Sequence, residues 1–424
     1  MEIRQLLKYA SISAVVLLGT ACGGGGSGST SSTSNGTSKV GTVSGFGSVF
    51  INGVEYETSN ATITIDGQSA AESDLAVGMV VTVTGTDNGS TGNASSISND
   101  DEVEGIVISN SIDPTTQTGT INVMGQTVTV RKTTMFESKV AGVNAPSQIA
   151  AGNIVEINGY SDGNGNIFAT RIEVKAADLA TYLITHPNGV EVKGLVGTID
   201  TNNMQFQLGG ITVDYTNAIL DLNGNLTSGL FVEVKSVAGI NNNGHLVASK
   251  VELENDGVMG HRGNDDDDDF EIKGIVTTAY ANGRFAVDGT TVLVTNNTEF
   301  DDITTAQLVV GVMVEVEGDF NSNGELVADE VEREDDADTE VKGLIQTINA
   351  TGTNSGTITL QDGTVIVVTN ETLMKDEQDE GVTPVKMFNL THLATGDFIE
   401  VDGVVDNATG DIIALKLERD DVKP

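Results

Sequence analysis

One segment of the sequence carries oxygen-bearing side chains at the spacing of a calcium loop. Its candidate ligands are Asp319, Asn321, Asn323, Glu325 and Glu330. Oxygen ligands at alternate positions, a glycine at the sixth place and a glutamate at the twelfth form the pattern of a twelve-residue calcium loop. The sequence therefore predicts Ca²⁺ at this segment and no other cofactor.

A plain hairpin turn is the alternative explanation for the same segment. Its flanks alternate between apolar and acidic residues, as strands do, whereas the calcium loop of this pattern is flanked by helices. Asn, Asp and Gly are also the residues that hairpin geometry selects without any ion. At this stage both explanations stay open.

No arrangement of residues in the sequence indicates catalysis. The four histidines, His186, His245, His261 and His392, have no metal-ligand spacing. No serine or cysteine nucleophile motif accompanies a base, and no glycine-rich phosphate loop precedes a helix. Acids are so frequent that no pair of carboxylates stands out. We expect no catalytic residues and no enzyme activity.

The single cysteine, Cys22, follows a segment with the parts of a signal peptide. Arg4 and Lys8 precede the apolar residues 12–18, and small residues lead to the cysteine. The apolar stretch is too short to span a bilayer. We expect a signal peptide over residues 1–21.

The residues around Cys22 resemble a bacterial lipobox, although the leucine, Leu18, lies four rather than three places before the cysteine. The resemblance implies lipidation of Cys22 and a membrane anchor. Gly23 stands where inner-membrane lipoproteins carry aspartate, which favours the outer membrane, on its periplasmic or its outer side. Ordinary cleavage beside a free cysteine is the alternative. The Gly/Ser/Thr-rich residues 22–38 predict a flexible linker.

The net negative charge of the chain limits the kinds of molecule that it can bind. The chain has 61 acidic and 21 basic side chains, a formal net charge of -40. Such a field repels phosphate backbones, so we expect no nucleic-acid partner. With one cysteine, no disulfide within the chain is available.

An internal repeat organises the rest of the sequence. Its start recurs at 102–107, 191–196, 271–276 and 340–345, with a weaker copy near residue 40. A glycine hairpin follows each start, then an apolar residue, two variable residues and a glycine, as in Leu308–Gly311. An alternating strand and a closing strand with a Gly-to-Ala spacing complete the unit.

This order of elements predicts an all-β tandem array of about five small OB-like five-stranded β-barrel modules. Closure would remove exposed strand edges, and an open β-sandwich is the alternative. The predicted divisions are a signal peptide (1–21), a lipidated cysteine with its linker (22–38), modules 1 (39–101) and 2 (102–175), a linker helix (176–190), module 3 (191–255), an acidic linker (256–270), module 4 (271–334), a second acidic linker (335–339) and module 5 (340–424).

These repeat landmarks, preceded by the cysteine and its linker, resemble bacterial repeats of the "domain of unknown function 5666" family. The resemblance is strongest in modules 3 to 5 and weakest in module 1. It implies membership of a family and no activity.

The sequence predicts a non-catalytic cell-envelope lipoprotein that acts as a spacer, adhesion or interaction module. Its expected partners are the membrane, through the lipid anchor, and an envelope protein or a glycan. The alternative is an envelope protein that binds a carbohydrate or a divalent cation. The sequence has no tryptophan and only 4% aromatic residues. This composition argues against carbohydrate binding, because sugars stack on aromatic rings.

Overall fold

The computed structural model describes residues 37–161, 163–254, 270–287, 290–321, 325–334, 337, 339–378, 383–406 and 409–421. The predicted signal peptide and nearly all of the predicted 22–38 linker lie outside these ranges, as does the predicted acidic linker 256–270 except for Phe270. Within the described ranges the chain is β-structure with a few short helical turns, and the all-β prediction is confirmed.

The strands fall into the five predicted modules. Module 1 contains β1 (Thr37–Phe46), β2 (Val49–Ile51), β3 (Val54–Glu57), β4 (Thr62–Ile65), β5 (Gln68–Ala70), β6 (Val80–Asp87) and β7 (Thr91–Asn99). Module 2 contains β8 (Val103–Asn110), β9 (Gly119–Val123), β10 (Gln126–Val130), β11 (Met135–Ser138), β12 (Ile154–Ser161) and β13 (Asn166–Ala176). Module 3 contains β14 (Val190–Asp200), β15 (Gln205–Leu208), β16 (Ile211–Asp214), β17 (Ile219–Asp221), β18 (Phe231–Ser236), β19 (His245–Val247) and β20 (Lys250–Leu253).

The remaining strands form the last two modules. Module 4 contains β21 (Phe270–Ala281), β22 (Arg284–Val287), β23 (Thr290–Asp301), β24 (Met313–Phe320) and β25 (Leu326–Arg333). Module 5 contains β26 (Thr339–Ala350), β27 (Gly356–Leu360), β28 (Val365–Val368), β29 (Leu373–Asp376), β30 (Phe398–Val405) and β31 (Ile412–Asp420). Short 3-10 turns occupy Glu72–Asp74, Pro146–Gln148 and Leu390–His392, before the fourth main strands of modules 1, 2 and 5.

Module 4 shows how each barrel closes. Strand β21 pairs with β22 and β24, β22 pairs with β23, and β25 pairs with β24 and, in parallel, with β23. The order of the five main strands around the barrel is therefore 1-2-3-5-4, returning to strand 1. The same circuit is present in modules 1, 2 and 5, and in module 3 the fifth strand is broken into β19 and β20. Closed barrels, rather than open sandwiches, are the architecture.

A reciprocal pair of backbone hydrogen bonds recurs in every module. In module 4, Val276 N–H donates to the carbonyl of Val312 (2.8 Å), and Gly311 N–H donates to the carbonyl of Val276 (2.9 Å). The glycines at this place, Gly78, Gly152, Gly229, Gly311 and Gly396, have φ between 87° and 95°. This left-handed backbone favours glycine, which explains the glycine that ends the apolar-x-x-Gly landmark.

A second glycine, in the fourth main strand, faces the alanine of the closing strand. Gly318 lies opposite Ala328 at a shift of register, and a Cβ on Gly318 would lie 2.0 Å from the carbonyl oxygen of Val327. The pairs Gly85–Ala94, Gly159–Ala169 and Gly403–Ala414 have the same arrangement. The alanine of the Gly-to-Ala landmark thus lies opposite this second glycine, at a β-bulge where two backbones approach closely.

The modules share sheets and cores. Strand β1 pairs in parallel with β21, and β8 pairs antiparallel with β14. One cluster of buried apolar residues runs through modules 2 and 3, and Val40 of module 1 belongs to the buried cluster of module 4. The array is consequently a body of barrels in mutual contact.

The predicted linker helix, 176–190, is one turn long. Helix α1 covers Leu179–Tyr182, and Asp178 caps it by accepting a hydrogen bond from Thr181 N–H (2.8 Å). Ala176 still belongs to β13. Among the described residues, no helix has the length and apolar character needed to cross a membrane.

The left-handed glycines generate a stability prediction. Gly229→Ala should lower the free energy of unfolding by about 1 kcal/mol, because alanine is strained at φ 87° even where its Cβ meets no neighbour. Urea denaturation followed by circular dichroism measures the change. Gly224→Ala is the matched control, since Gly224 also has open space but no left-handed φ. Equal stability of the two variants would contradict the prediction.

Candidate functional site

One repeated position lies at the contacts between modules. It is the residue before the glycine of the first main strand, here named the junction position: Val40, Glu104, Lys193, Lys273 and Lys342. Its side chain points away from the barrel's own core, because the core residues alternate with it along the strand. Only Lys342 is exposed, and the other four are partly or fully buried.

Lys273 lies where modules 1, 4 and 5 meet. Its ammonium contacts carboxylates of Glu334 (2.9 Å), Glu315 (3.3 Å) and Glu371 (3.6 Å), and Glu371 belongs to module 5. Burial disfavours the charged ammonium, but these three carboxylates outweigh that effect and raise the pKa of Lys273. Desolvation, in turn, raises the pKa of Glu334 to about 7. The lysine therefore holds acids of two modules in one ion-pair network.

A cleft opens beside this network. Its cavity volume is about 40 Å³, and it is lined by Thr42, Ser44, Asn52, Lys273, Glu371 and Leu373. Small-molecule sites usually enclose roughly 300–1,000 Å³ and are mostly apolar. This cleft is smaller, and two of its lining side chains already form an ion pair with each other. The cleft is therefore better explained as a gap in the contact between modules than as a binding site for a small molecule.

Glu104 occupies the junction position between modules 2 and 3. It lies opposite Glu191 in the β8–β14 ladder. Desolvation raises the pKa of Glu104 to about 7, while a hydrogen bond from Tyr182 lowers it. The ammonium of Lys175 pairs with Glu156 and lies 3.8 Å from Glu104. Helix α1 thus places Tyr182 over a buried network of acids around one lysine.

The predicted calcium segment is only partly assembled at the tip of the β24–β25 hairpin. Asp319 lies near the end of β24, and Asn321 accepts a hydrogen bond from Glu325 N–H (3.1 Å). Glu325 also accepts from Arg284 Nε (2.7 Å) and from Asn321 Nδ2 (3.1 Å). Its side-chain hydrogen bond with Arg284 lowers the pKa of Glu325. Asn323 lies outside the described residues.

Glu330 is not brought to this turn. It lies opposite Glu317 inside the β24–β25 ladder, whereas the described ladder ends at the pair Phe320–Leu326. Glu330 lies four positions after Leu326 along the strand, roughly 13 Å at 3.3 Å per residue. Calcium binding at the turn stays a prediction, and Glu330 lies too far along β25 to join the other four predicted ligands, Asp319, Asn321, Asn323 and Glu325.

The other residues considered in the sequence lie apart from the junctions. Cys22 and His261 are outside the described residues. His186 stacks on Tyr182 at 4.1 Å between ring centroids, and His245 Nδ1 lies 3.2 Å from Gln205 Nε2. His392 accepts a hydrogen bond from Asn389 N–H (3.2 Å). These three histidines take part in local packing and turn contacts.

Sequence reasoning missed the junction position. Alignment of the repeated starts alone could have found it, because one place holds Val, Glu and three lysines while the next residue is always glycine. A position that varies beside an invariant one has a role specific to each module. Four of the five residues contact a neighbouring module, whereas Lys342 pairs with Glu340 and Glu400 of its own module.

Closed five-stranded barrels in tandem, with ion pairs between them, define a β-barrel repeat protein. The family model "Domain of unknown function (DUF5666)" matches the chain five times, over residues 39–98, 104–173, 190–252, 273–332 and 342–418. The chain therefore belongs to this family, and the resemblance stated from the sequence is confirmed.

The other comparisons add little. No curated protein matches the chain. A solved structure described as "drosophila Unr CSD456" is 11% identical, and the match covers 54% of this chain and 95% of that one. Its TM-score is 0.12, which is too low to support any argument.

The buried lysine network generates a second stability prediction. Lys273→Met should lower the free energy of unfolding by about 3–5 kcal/mol, because it leaves buried carboxylates without a cation. Lys342→Met is the matched control at the same strand position, where the more exposed ion pairs contribute about 0–1 kcal/mol. Urea denaturation of both variants measures the difference. Equal losses would show that Lys273 does not neutralise the junction.

The turn generates a calcium prediction. Calcium should raise the melting temperature of the chain, and Asp319→Ala should remove the part of the shift that the turn contributes. Asp362→Ala, the same change in an exposed turn of module 5, is the control. Differential scanning calorimetry at millimolar calcium measures the shifts. If Asp319→Ala and Asp362→Ala keep the same shift, the turn does not bind calcium.

Proposed function

We propose that this protein is a non-catalytic lipoprotein of the bacterial cell envelope, anchored in the outer membrane through Cys22. Its barrels would act as a spacer, adhesion or interaction body held away from the bilayer. The observation that carries the proposal is that the hairpins between strands 2 and 3 of modules 1, 2 and 3, which single OB-like barrels use for ligands, contact other modules.

The hairpins of modules 2 and 3 illustrate this use. OB-like barrels bind oligomers on the face of strands 2 and 3 and on adjoining loops. In this chain those hairpins contact each other, and Gly210 N–H donates to the carbonyl of Gly125 (2.9 Å). Gln126, next to this contact, is 1% exposed. A ligand would have to displace a neighbouring module.

The exposed surface offers little for sugar stacking. Among the described residues, the exposed large hydrophobic side chains are aliphatic or methionine: Ile108, Ile184, Met204, Ile219, Leu220, Val237, Val309, Val310 and Val405. Carbohydrate sites commonly use an aromatic face. The carbohydrate version of the alternative therefore has less support than a contact surface for a protein.

The linker and the body have complementary roles in this proposal. The Gly/Ser/Thr-rich sequence between Cys22 and β1 would connect the anchor to the body of barrels. The barrels beyond it share sheets and buried ion pairs, so they would move as one body. A net charge of -40 would keep that body soluble and away from anionic surfaces. These properties suit a spacer.

The anchor can be tested by changing Cys22. Cys22→Ala should abolish incorporation of labelled fatty acid and move the protein from the outer-membrane fraction to a soluble one, because the acyl chains provide the membrane affinity. Ser27→Ala, in the same linker, should change neither result. An outer-membrane location of the Cys22→Ala chain, without label, would contradict the proposed anchor.

The function of the body is tested with the chain from residue 23 onward. It is used as bait for envelope proteins and for glycans, and the mature chain is screened for hydrolytic activity. Retention of a specific envelope protein supports an interaction module, whereas no retained partner and no activity supports a spacer. Turnover of a substrate would contradict the non-catalytic proposal.

A further inference from the structure

Three carboxylates from separate parts of the chain converge at one place. Asp66 lies in the turn between β4 and β5 of module 1, Asp101 lies between modules 1 and 2, and Glu191 is on β14 of module 3. One carboxylate oxygen of each lies within 4.8 Å of the other two. A calcium ion forms bonds of about 2.3–2.6 Å to oxygen, so a single ion can contact all three.

Asp101 provides the observation that points to a ligand. Its side chain is 2% exposed, and neither carboxylate oxygen accepts a hydrogen bond from any described residue. Buried carboxylates in proteins are normally paired, hydrogen-bonded or bound to a metal. Its backbone, by contrast, is fully used: Asp101 N–H donates to Asp66 Oδ1 (3.2 Å), and its carbonyl accepts from Lys193 Nζ (2.8 Å).

The nearby lysines do not supply the missing partner. Lys193, the junction residue of module 3, donates to the Asp101 carbonyl rather than to its carboxylate. Lys235 pairs with Glu191 Oε2 (3.1 Å). Glu156 adds a further negative charge to the electrostatic environment of Asp101. The cluster therefore has an excess of negative charge around one buried carboxylate.

We propose that Asp66, Asp101 and Glu191 bind a divalent cation of the calcium type, which fastens modules 1 and 3 to each other beside the start of module 2. Hard cations of this class prefer carboxylate and water oxygens, and water would complete the coordination on the exposed side at Asp66. The site is separate from the predicted turn of module 4, and it gives the anchored body a structural dependence on calcium.

Protons compete with the cation for these groups. Desolvation raises the pKa of Asp101 well above its ordinary value, and the charge of Asp66 raises it further. Desolvation likewise raises the pKa of Asp66 to about 6, although a hydrogen bond from Asp101 N–H lowers it. These two groups then bind more protons in the folded chain than in the unfolded one between about pH 4 and pH 6, so without cation their contribution to stability falls as the pH rises. Stabilisation by calcium should increase over the same window.

The test uses the chain from residue 23 onward with Asp319→Ala, so that calcium at the turn does not contribute. Calcium binding is counted by equilibrium dialysis, and melting temperatures are measured with calcium and with a chelator at pH 5 and pH 7.5. Adding Asp101→Asn should remove one bound calcium per chain and the calcium-induced shift. It should also raise the melting temperature in chelator, because it removes an uncompensated buried charge. Asp362→Asn is the control and should change neither.

A second variant covers the case in which Asp101→Asn does not fold. Asp66 lies at the exposed edge, and Asp66→Asn keeps the side-chain oxygen that accepts from Asp101 N–H. It should weaken calcium binding about tenfold or more. Unchanged binding in Asp66→Asn, or equal binding and shift in Asp101→Asn and Asp362→Asn, would overturn the proposal. So would a parent chain that binds no calcium, since Asp101 would then be simply protonated.

Discussion

A pair of backbone hydrogen bonds closes every barrel at the place where its first strand bends. The residues at this place are Val43, Val107, Val196, Val276 and Ile345, and each exchanges hydrogen bonds with the segment just before the fourth strand. Each also precedes a shift of register toward the second strand. The first strand can thus pair with strand 4 on one side of the bend and strand 2 on the other. Closure depends on this change of partner, and a glycine with left-handed φ makes it possible.

Closure of the barrels determines how the modules can join. A closed barrel has no free edge along its main circuit, so a neighbour can attach only where a strand extends past its partners or through side chains. Both occur here. The outer ends of β1 and β8 pair with β21 and β14 for two residue pairs each, and the junction position places one side chain in each contact. The contacts between modules accordingly include few backbone residue pairs and many charged side chains.

The sequence predicted what is common to the modules and missed what distinguishes them. The hairpins, the left-handed glycine and the Gly-to-Ala spacing repeat because backbone geometry demands them, so the all-β array of closed barrels could be inferred from spacing. The contacts of Lys273 with Glu371, or of Asp101 with Asp66, join residues that no repeat relates. They depend on how barrels dock, which alternation of apolar and polar residues does not encode. For the same reason the linker 176–190 was predicted as a helix, but only Leu179–Tyr182 is helical.

The contacts between modules matter for stability because the chain has an excess of acidic side chains. With 61 acidic and 21 basic side chains, repulsion opposes any compact arrangement of the modules. Lysines at the junctions offset it locally, as Lys273 does among Glu315, Glu334 and Glu371. At Asp101 the nearest lysine is engaged by a backbone carbonyl, and the carboxylate is left to protons or to a cation from solution. At most junctions, lysines of the chain itself therefore neutralise the acids that hold the modules together. At Asp101, that neutralisation depends on protons or cations from the solution.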